Sequence, residues 1–239
     1  MFNQLDLANC LLMPSRIDIW LYSLATLHED AATLLDATEL ARANRYHFAR
    51  HSRRFIMARA ILRCIIGRYL NIPPKDIAFT YQTHGKPEIP HPAQIQFNLS
   101  HSQDMALLAI GQNYPMGIDI EFFTDRPYDG IGTHAFSPEE NMQLHKATNE
   151  LKALTFFNIW AQKEAVIKAC GLGLHYPLTQ ISMPPLPQGH TQIFDPKHQQ
   201  DWQLLSFSPL VNCCAALCYN LNVQTLRYIH LDNPWERLI

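Results

Sequence analysis

Long apolar runs are missing from this chain. None approaches the roughly 20 residues that a membrane span needs, and the short apolar stretch in MFNQLDLANCLLMPSR has no basic flank before it. No signal peptide and no membrane association are therefore expected, and a cytoplasmic setting is. Charge is sparse as well: 17% of residues are charged and the net charge is −2, which speaks against general nucleic-acid affinity. The cysteines at 10, 64, 170, 213, 214 and 218 include no pair of C-x-x-C units. Without such spacing a disulfide framework is not expected, and the thiols read as small buried hydrophobes in a reducing compartment. The composition has no mark of disorder, collagen or a repeat array. With 239 residues, 47% of them hydrophobic, the chain is long enough for one large domain or two modest ones.

What charge there is lies unevenly. From Arg42 to Arg68 there are eight arginines (42, 45, 50, 53, 54, 59, 63 and 68) and no Asp or Glu. A solvated helix face is one reading. A segment that repels itself in this way also suits an anionic ligand or partner, and that is the reading we favour.

Periodicity divides the chain into two halves that each run from helices to strands. IDIWLYSL (17–24) reads as a first strand, 31–49 as helical, and Arg53 to Leu70 as a helix with Ser52 as its cap. Short strands follow at 77–81, 96–99, 105–110 and 117–121, separated by turn signals such as Thr83 to Pro87. In the second half, Ser137-Pro138-Glu139-Glu140 starts a helix. A longer helix runs from about Glu150 to Cys170 and stops at Gly171 and Gly173. A Pro-rich coil (Pro177 to Pro187) precedes strands near 202–207 and 213–219, with Leu226 to Leu231 as a candidate last strand. This predicts an α+β fold of two similar subdomains with antiparallel strands.

Three segments carry chemistry. Asp119 and Glu121 are two apart on a strand and share a face, with Ile118 and Ile120 on the other. Paired carboxylates of this kind are either a solvated face or hard-cation ligands. Glu164 and Lys168 are four apart on a helix, the spacing of an ordinary surface ion pair. Equally, that pair would supply a third carboxylate and a phosphate-binding ammonium. In FNLSHS (97–102), Ser100 and His101 offer a hydroxyl and an imidazole to an anion. The rival is a catalytic triad, but no G-x-S-x-G elbow is present.

The ordered set GKP (85–87), FNLSHS (97–102), GIDIE (117–121), FSPEE (136–140) and WAQKEAVIKACGLGL (160–174), preceded by the arginine-rich 41–63 stretch, resembles the 4′-phosphopantetheinyl transferase superfamily. It looks like the larger, pseudo-dimeric type. The resemblance covers roughly residues 30–185. It implies two α/β subdomains related by a pseudo-two-fold axis, with the active site in the cleft between them. The N-terminal one (1–112) would hold coenzyme A phosphate contacts, and the C-terminal one (113–239) the metal site and the long helix.

By that resemblance, Asp119, Glu121 and Glu164 would bind Mg²⁺ together with the coenzyme A pyrophosphate. Lys168 would contact the pyrophosphate, Ser100 and His101 the coenzyme A phosphates, and Lys86 and Arg59 the 3′-phosphate and adenine end. Glu140 takes a secondary acidic position, and Arg42 and Arg45 are the candidates for the basic first-helix contacts. Glu164 and Lys168 are the implied catalytic pair, with Glu164 or a water it holds as base. The implied reaction moves phosphopantetheine from coenzyme A to a serine of an apo acyl or peptidyl carrier protein, releasing 3′,5′-ADP. A monomer is expected, because two halves within one chain supply both sides of the cleft. Two other classes fit parts of the pattern: a non-catalytic coenzyme-A-binding or carrier-docking module, and a two-carboxylate phosphohydrolase or nuclease.

Overall fold

The computed structural model of the chain describes residues 9–184 and 189–238, at Leu174 the backbone alone. Pro185 to Pro187 of the expected Pro-rich coil lie outside the described residues. The chain runs β1 (Arg16–Ser23), α1 (Ala37–Asn44), α2 (Ala49–Leu70), β2 (Thr80–Tyr81), β3 (Pro87–Glu88), β4 (Ile95–Ser102), β5 (Met105–Gln112) and β6 (Met116–Phe122). It continues through α3 (Tyr128–Ala135), α4 (Pro138–Lys146), α5 (Asn149–Cys170), β7 (Gly189–Asp195), β8 (Gln200–Phe207), β9 (Cys213–Tyr219), β10 (Thr225–Leu231) and α6 (Pro234–Leu238). Among the described residues no helix is long and apolar enough to cross a membrane.

Two four-stranded sheets dominate, in the orders β10-β1-β5-β4 and β6-β9-β8-β7. Alternate side chains of each strand point to opposite faces, and here both faces are covered. In β1, Trp20 and Tyr22 pack under α2, while Ile17, Ile19 and Leu21 enter a middle core. From the second sheet, Ile118, Ile120, Leu205, Phe207, Ala215 and Leu217 enter the same middle core. On its outer face Cys214, Ala216 and Cys218 pack with α5 residues such as Ala165 and Ala169. The layers are thus α2, first sheet, middle core, second sheet, α5.

The halves repeat. A strand, a 22-residue helix and an antiparallel hairpin recur as β1-α2-β4-β5 and β6-α5-β8-β9, with matching strand orders β1-β5-β4 and β6-β9-β8. This is the expected α+β fold of two related subdomains. One strand breaks the division along the chain: β10 crosses back and pairs parallel with β1, from Arg16–Thr225 to Tyr22–Leu231. The first sheet is therefore mixed rather than antiparallel throughout, and it draws on both ends of the chain.

Several local expectations change. Residues 31–49 do not form one helix. A 3₁₀ turn over Glu29–Leu34 is followed by α1, because Asp36 makes a capping box with Glu39 and restarts the helix there. Ser52 does not cap α2, which begins three residues earlier after Phe48 with no side-chain cap. Its first turns are held instead by Arg53 and Arg54, both paired with Asp104 on the β4–β5 turn. The strand expected over 77–81 shrinks to Thr80–Tyr81. By contrast Ser137 and Glu140 form the capping box expected of a helix start, and Gly171 ends α5 in the left-handed region at φ 72°.

Candidate active site

Strands β4 and β6 run side by side at the seam between the sheets, joined by side chains rather than by a backbone ladder. The Ile118 N–H donates to Asn98 Oδ1 at 2.7 Å, and the Phe122 N–H to Ser102 Oγ at 3.1 Å. Asn98, Ser100 and Ser102 are the even positions of FNLSHS and all face β6, while Phe97 and Leu99 pack in the first core. Strand periodicity thus explains the polar-apolar alternation of the motif. From this seam Ser100 donates to Asp119 Oδ1 at 2.8 Å, and Ser102 to Glu121 Oε2 at 3.2 Å.

Helix α5 lies on the other side of β6, held close by a glycine. A Cβ built on Gly117 would stand 2.0 Å from the Ala165 carbonyl oxygen and 2.4 Å from the Ala169 nitrogen, so no larger residue fits without moving the helix. At this approach Lys168 reaches Asp119 Oδ1 at 2.5 Å and Ser100 Oγ at 3.0 Å. Asp119, Ser100 and Lys168, from β6, β4 and α5, therefore meet at one point. Glu164, one turn earlier on the same helix, and Lys168 line a cavity of about 270 Å³ with Asn98, His84, Lys86 and Gly171. That cavity is walled by the turn before β3 on one side and by α5 on the other, so it lies between the halves.

The electrostatics of the cluster are those of crowded acids. Burial, and then the neighbouring Asp119 charge, push the Glu121 carboxyl above its ordinary range. Glu164 is also raised, by burial first; Lys168 opposes the shift and Asp119 adds to it. Asp119 is 3% exposed, yet among the described residues its buried Oδ2 has no hydrogen-bond partner. An orphaned carboxylate oxygen between two acids of raised affinity for protons fits a site for a hard cation, whose donors are carboxylate oxygens. The Asp119, Glu121 and Glu164 oxygens do not close to within 4.8 Å of one another as a trio.

Of the other expected site residues, His101 is solvent-accessible at the end of β4. Partial desolvation, with Lys168 and Arg54 nearby, lowers its affinity for a proton. Lys86 lines the cavity, but its ammonium donates to the carbonyls of Met116 (3.0 Å), Lys168 (2.7 Å) and Ala169 (3.4 Å), the last two at the C-terminal end of α5. Burial lowers its pKa to about 8. Arg59 is not brought to this cluster. It is buried, pairs with Glu39, and its guanidinium lies 4.0 Å over the Phe79 ring. Glu140 is fully buried and pairs with Lys163 at 2.8 Å, so the acid of FSPEE and the first cation of the KE pair hold α4 against α5. Sequence reasoning passed over Ser102 and Asp104. The period-2 pattern of FNLSHS was the available signal for Ser102. Asp104 had none, since its pairing with Arg53 and Arg54 is long-range.

Residues 115–218 match the family model described as the 4′-phosphopantetheinyl transferase superfamily, and residues 20–113 match one described as 4′-phosphopantetheinyl transferase, N-terminal. The chain is 35% identical over 218 residues to the 4′-phosphopantetheinyl transferase HetI of Nostoc sp., covering 87% of this chain and 90% of that one. It is 32% identical over 197 residues to the 4′-phosphopantetheinyl transferase gsp of Aneurinibacillus migulanus, covering 79% and 80%. It is 31% identical over 143 residues to the 4′-phosphopantetheinyl transferase Sfp of Bacillus subtilis, covering 59% and 62%. The chain belongs to the 4′-phosphopantetheinyl transferase superfamily and is an enzyme.

Proposed function

We propose that the chain moves the 4′-phosphopantetheine group of coenzyme A to a serine hydroxyl of an apo acyl or peptidyl carrier protein, leaving 3′,5′-ADP. The observation that carries the site assignment is the meeting of Ser100, Asp119 and Lys168 at the seam, beside a cavity lined by Glu164. Lys168 is the group for the coenzyme A pyrophosphate, and Ser100 and His101 border its phosphates. Lys86 serves the same cavity from beneath, by fixing the end of α5 on which Lys168 sits. Arg59 acts at one remove, holding α2 to Glu39, and Arg42 and Arg45 stay as candidates for the basic first-helix contacts with coenzyme A.

Asp119, Glu121 and Glu164 are the proposed Mg²⁺ ligands, and the bound ion would neutralise charge on the pyrophosphate. The chain's own contribution is positioning. The serine oxygen attacks the β-phosphorus, the bond from that phosphorus to the bridging oxygen breaks, and the electron pair leaves with 3′,5′-ADP. Glu164 takes the serine proton directly or through a water that it holds. Lys168 offsets the charge that grows on the leaving side. Two halves within one chain supply both walls of the cavity, which supports a monomer, and six free thiols suit a reducing, cytoplasmic setting.

The test is to incubate the protein with coenzyme A, Mg²⁺ and apo carrier proteins and to weigh the carriers. Gain of one phosphopantetheine group is expected. No gain across fatty acid, polyketide and peptide carriers would sink the proposal. Glu164→Gln should fold normally and lose transfer, and unchanged turnover in that variant removes Glu164 from the chemistry.

A further inference from the structure

A second cluster lies at the far end of α5. Among the described residues, Cys170, Asp195 and His198 bring a thiol, a carboxylate and an imidazole nitrogen within 4.8 Å of one another. Cys170 closes α5, two residues beyond Lys168. Asp195 closes β7, and His198 sits three residues on, in the turn to β8. Cys170 Sγ donates to Asp195 Oδ2 at 3.2 Å, and His198 Nδ1 stands 2.7 Å from the same oxygen. Asp195 is fully buried, whereas His198 is exposed and Cys170 partly so. The cluster is therefore anchored at its centre and open to solvent at one side.

Its surroundings are those of a built site. Tyr176 donates to Asp195 Oδ1 at 2.6 Å, and the Lys197 N–H donates to the same oxygen at 2.9 Å. These bonds leave Oδ2 facing the thiol and the imidazole. The Tyr176 and His198 rings are stacked, with centroids 6.3 Å apart, which fixes the imidazole plane. Burial alone would raise the Asp195 carboxyl, but the bonds from Tyr176, His198 and Cys170 hold it down at about 2. It is an anion at every ordinary pH.

From this arrangement we infer that Cys170, Asp195 and His198 form a binding site for a zinc-class divalent cation, separate from the carboxylate cluster at Asp119. Ligand atoms around tetrahedral zinc stand about 3.3–3.6 Å apart; here the thiol and imidazole stand 3.2 and 2.7 Å from the shared carboxylate oxygen and within 4.8 Å of each other. The donor set decides the class of ion: one thiolate, one imidazole and one carboxylate suit zinc, whereas Mg²⁺ takes oxygen donors. The open side leaves room for water or another small ligand as the fourth. Burial keeps the Cys170 thiol protonated in the free site, so uptake of the ion releases that proton to solvent. The bound ion ties the end of α5 to the β7–β8 turn, and through α5 it stiffens the wall of the cavity that Lys168 lines.

Cobalt as a probe tests this on tag-free, chelator-treated full-length protein. Titration with Co²⁺ is expected to give visible bands of a four-coordinate ion and a thiolate-to-cobalt charge-transfer band at one equivalent. Zn²⁺ should displace them and excess Mg²⁺ should not. Cys170→Ser should abolish the charge-transfer band. Tyr176→Phe should keep the bands with the Kd raised about 10-fold, as loss of a group that orients a ligand does. His198→Ala, on an exposed turn that tolerates change, should weaken binding about 100-fold or more while transfer activity stays measurable. Absence of the bands at one equivalent, a charge-transfer band that survives Cys170→Ser, or unchanged affinity in His198→Ala overturns the inference. In the first case the trio is a hydrogen-bond network only.

Discussion

The two halves share a frame and differ in what they leave open. Each has an Ile-Asp-Ile strand with both isoleucines in the middle core, Ile17-Asp18-Ile19 in β1 and Ile118-Asp119-Ile120 in β6. Each aspartate faces its own 22-residue helix. Asp18 is fully partnered: Tyr69 donates to it at 2.5 Å, Arg227 of β10 at 2.8 Å, and Arg16 lies at 2.9 Å. Asp119 keeps one buried oxygen without a partner among the described residues. Where the second half has Glu121, Glu164 and Lys168, matching positions in the first hold Trp20, Cys64 and Arg68. Arg68 turns away to the Leu238 carbonyl at 2.9 Å. The same strand-and-helix frame is thus sealed by β10 in one half and left open at the proposed ion-and-phosphate site in the other. What separates the halves is the unfilled acceptor, not the frame.

A second shared device supports the frame itself. In each half a capping-box glutamate accepts a buried cation from the long helix, and that cation also donates to two carbonyls just beyond the helix. Arg63 pairs with Glu39 and donates to the Pro74 and Ile77 carbonyls, while Lys163 pairs with Glu140 and donates to the Leu178 and Ile181 carbonyls. The difference is redundancy, since Glu39 also holds Arg59, whereas among the described residues Glu140 has Lys163 alone as an ion-pair partner. Lys163→Met leaves the buried Glu140 carboxylate its backbone donors at Ser137 and Met183 but no counter-charge, and should cost about 3–5 kcal/mol of stability. Arg59→Met leaves Arg63 in place and should cost nearer 1 kcal/mol. Urea unfolding of both variants checks this, and equal losses would break the comparison. Coenzyme A affinity should change little in Arg59→Met, which separates support of α2 from direct contact.

The next largest effect concerns matching cations on the two helices. Lys168→Ala should lower transfer about 10²–10³-fold, the scale for loss of one preorganised charge, with the fold retained. Arg68→Ala should leave turnover per folded molecule unchanged. Mass measurement of carrier conversion over time reads both. Comparable rate losses in the two variants would mean that the halves are not divided in function as described.

Gly117→Ala tests how the active half is held together. The added methyl meets the α5 backbone at Ala165 and Ala169, so the helix must shift. A stability loss of about 1–3 kcal/mol is expected, together with a loss of transfer that added coenzyme A does not restore. Normal activity in this variant would show that Lys168 reaches Asp119 without the close approach.

How much of this was legible beforehand depends on the range of the interaction. The Asp119–Glu121 face, the α5 helix with its glycine stop and the Ser137 cap are local patterns, and all are found. Helix α3 was missed because Gly130 and Gly132 within eight residues mask its helical signal. Strand β7 was missed beside the Pro-rich coil. The parallel pairing of β10 with β1 joins residues some two hundred positions apart, and no local period encodes it. Arg59 and Lys86 illustrate the same limit within the site. Their types suited phosphates, but Glu39 and the carbonyl end of α5 claim their charges, and those partners are distant in sequence.

The smallest effect isolates the open acceptor. Burial and the Asp119 charge raise the pKa of Glu121 in the folded chain above its unfolded value near 4.3. Between those two values the native state binds more protons than the unfolded one, so stability falls as pH rises through that window and stays lower above it. Glu121→Gln removes the ionisation and keeps an oxygen to accept from Ser102. The chelated variant should therefore be more stable than the parent chain at pH 7, by about 1 kcal/mol or 2–4 °C in Tm, with the gap closing below about pH 4. Added Mg²⁺ should reverse the order, because a ligand for the folded state stabilises the parent in proportion to occupancy and the variant has lost one of the proposed donors. Calorimetry at pH 4 and pH 7, with and without Mg²⁺, reads all four values. A parent chain more stable than the variant at pH 7 without metal would mean that the acids of β6 are as well satisfied as Asp18, and the contrast between the halves would fail.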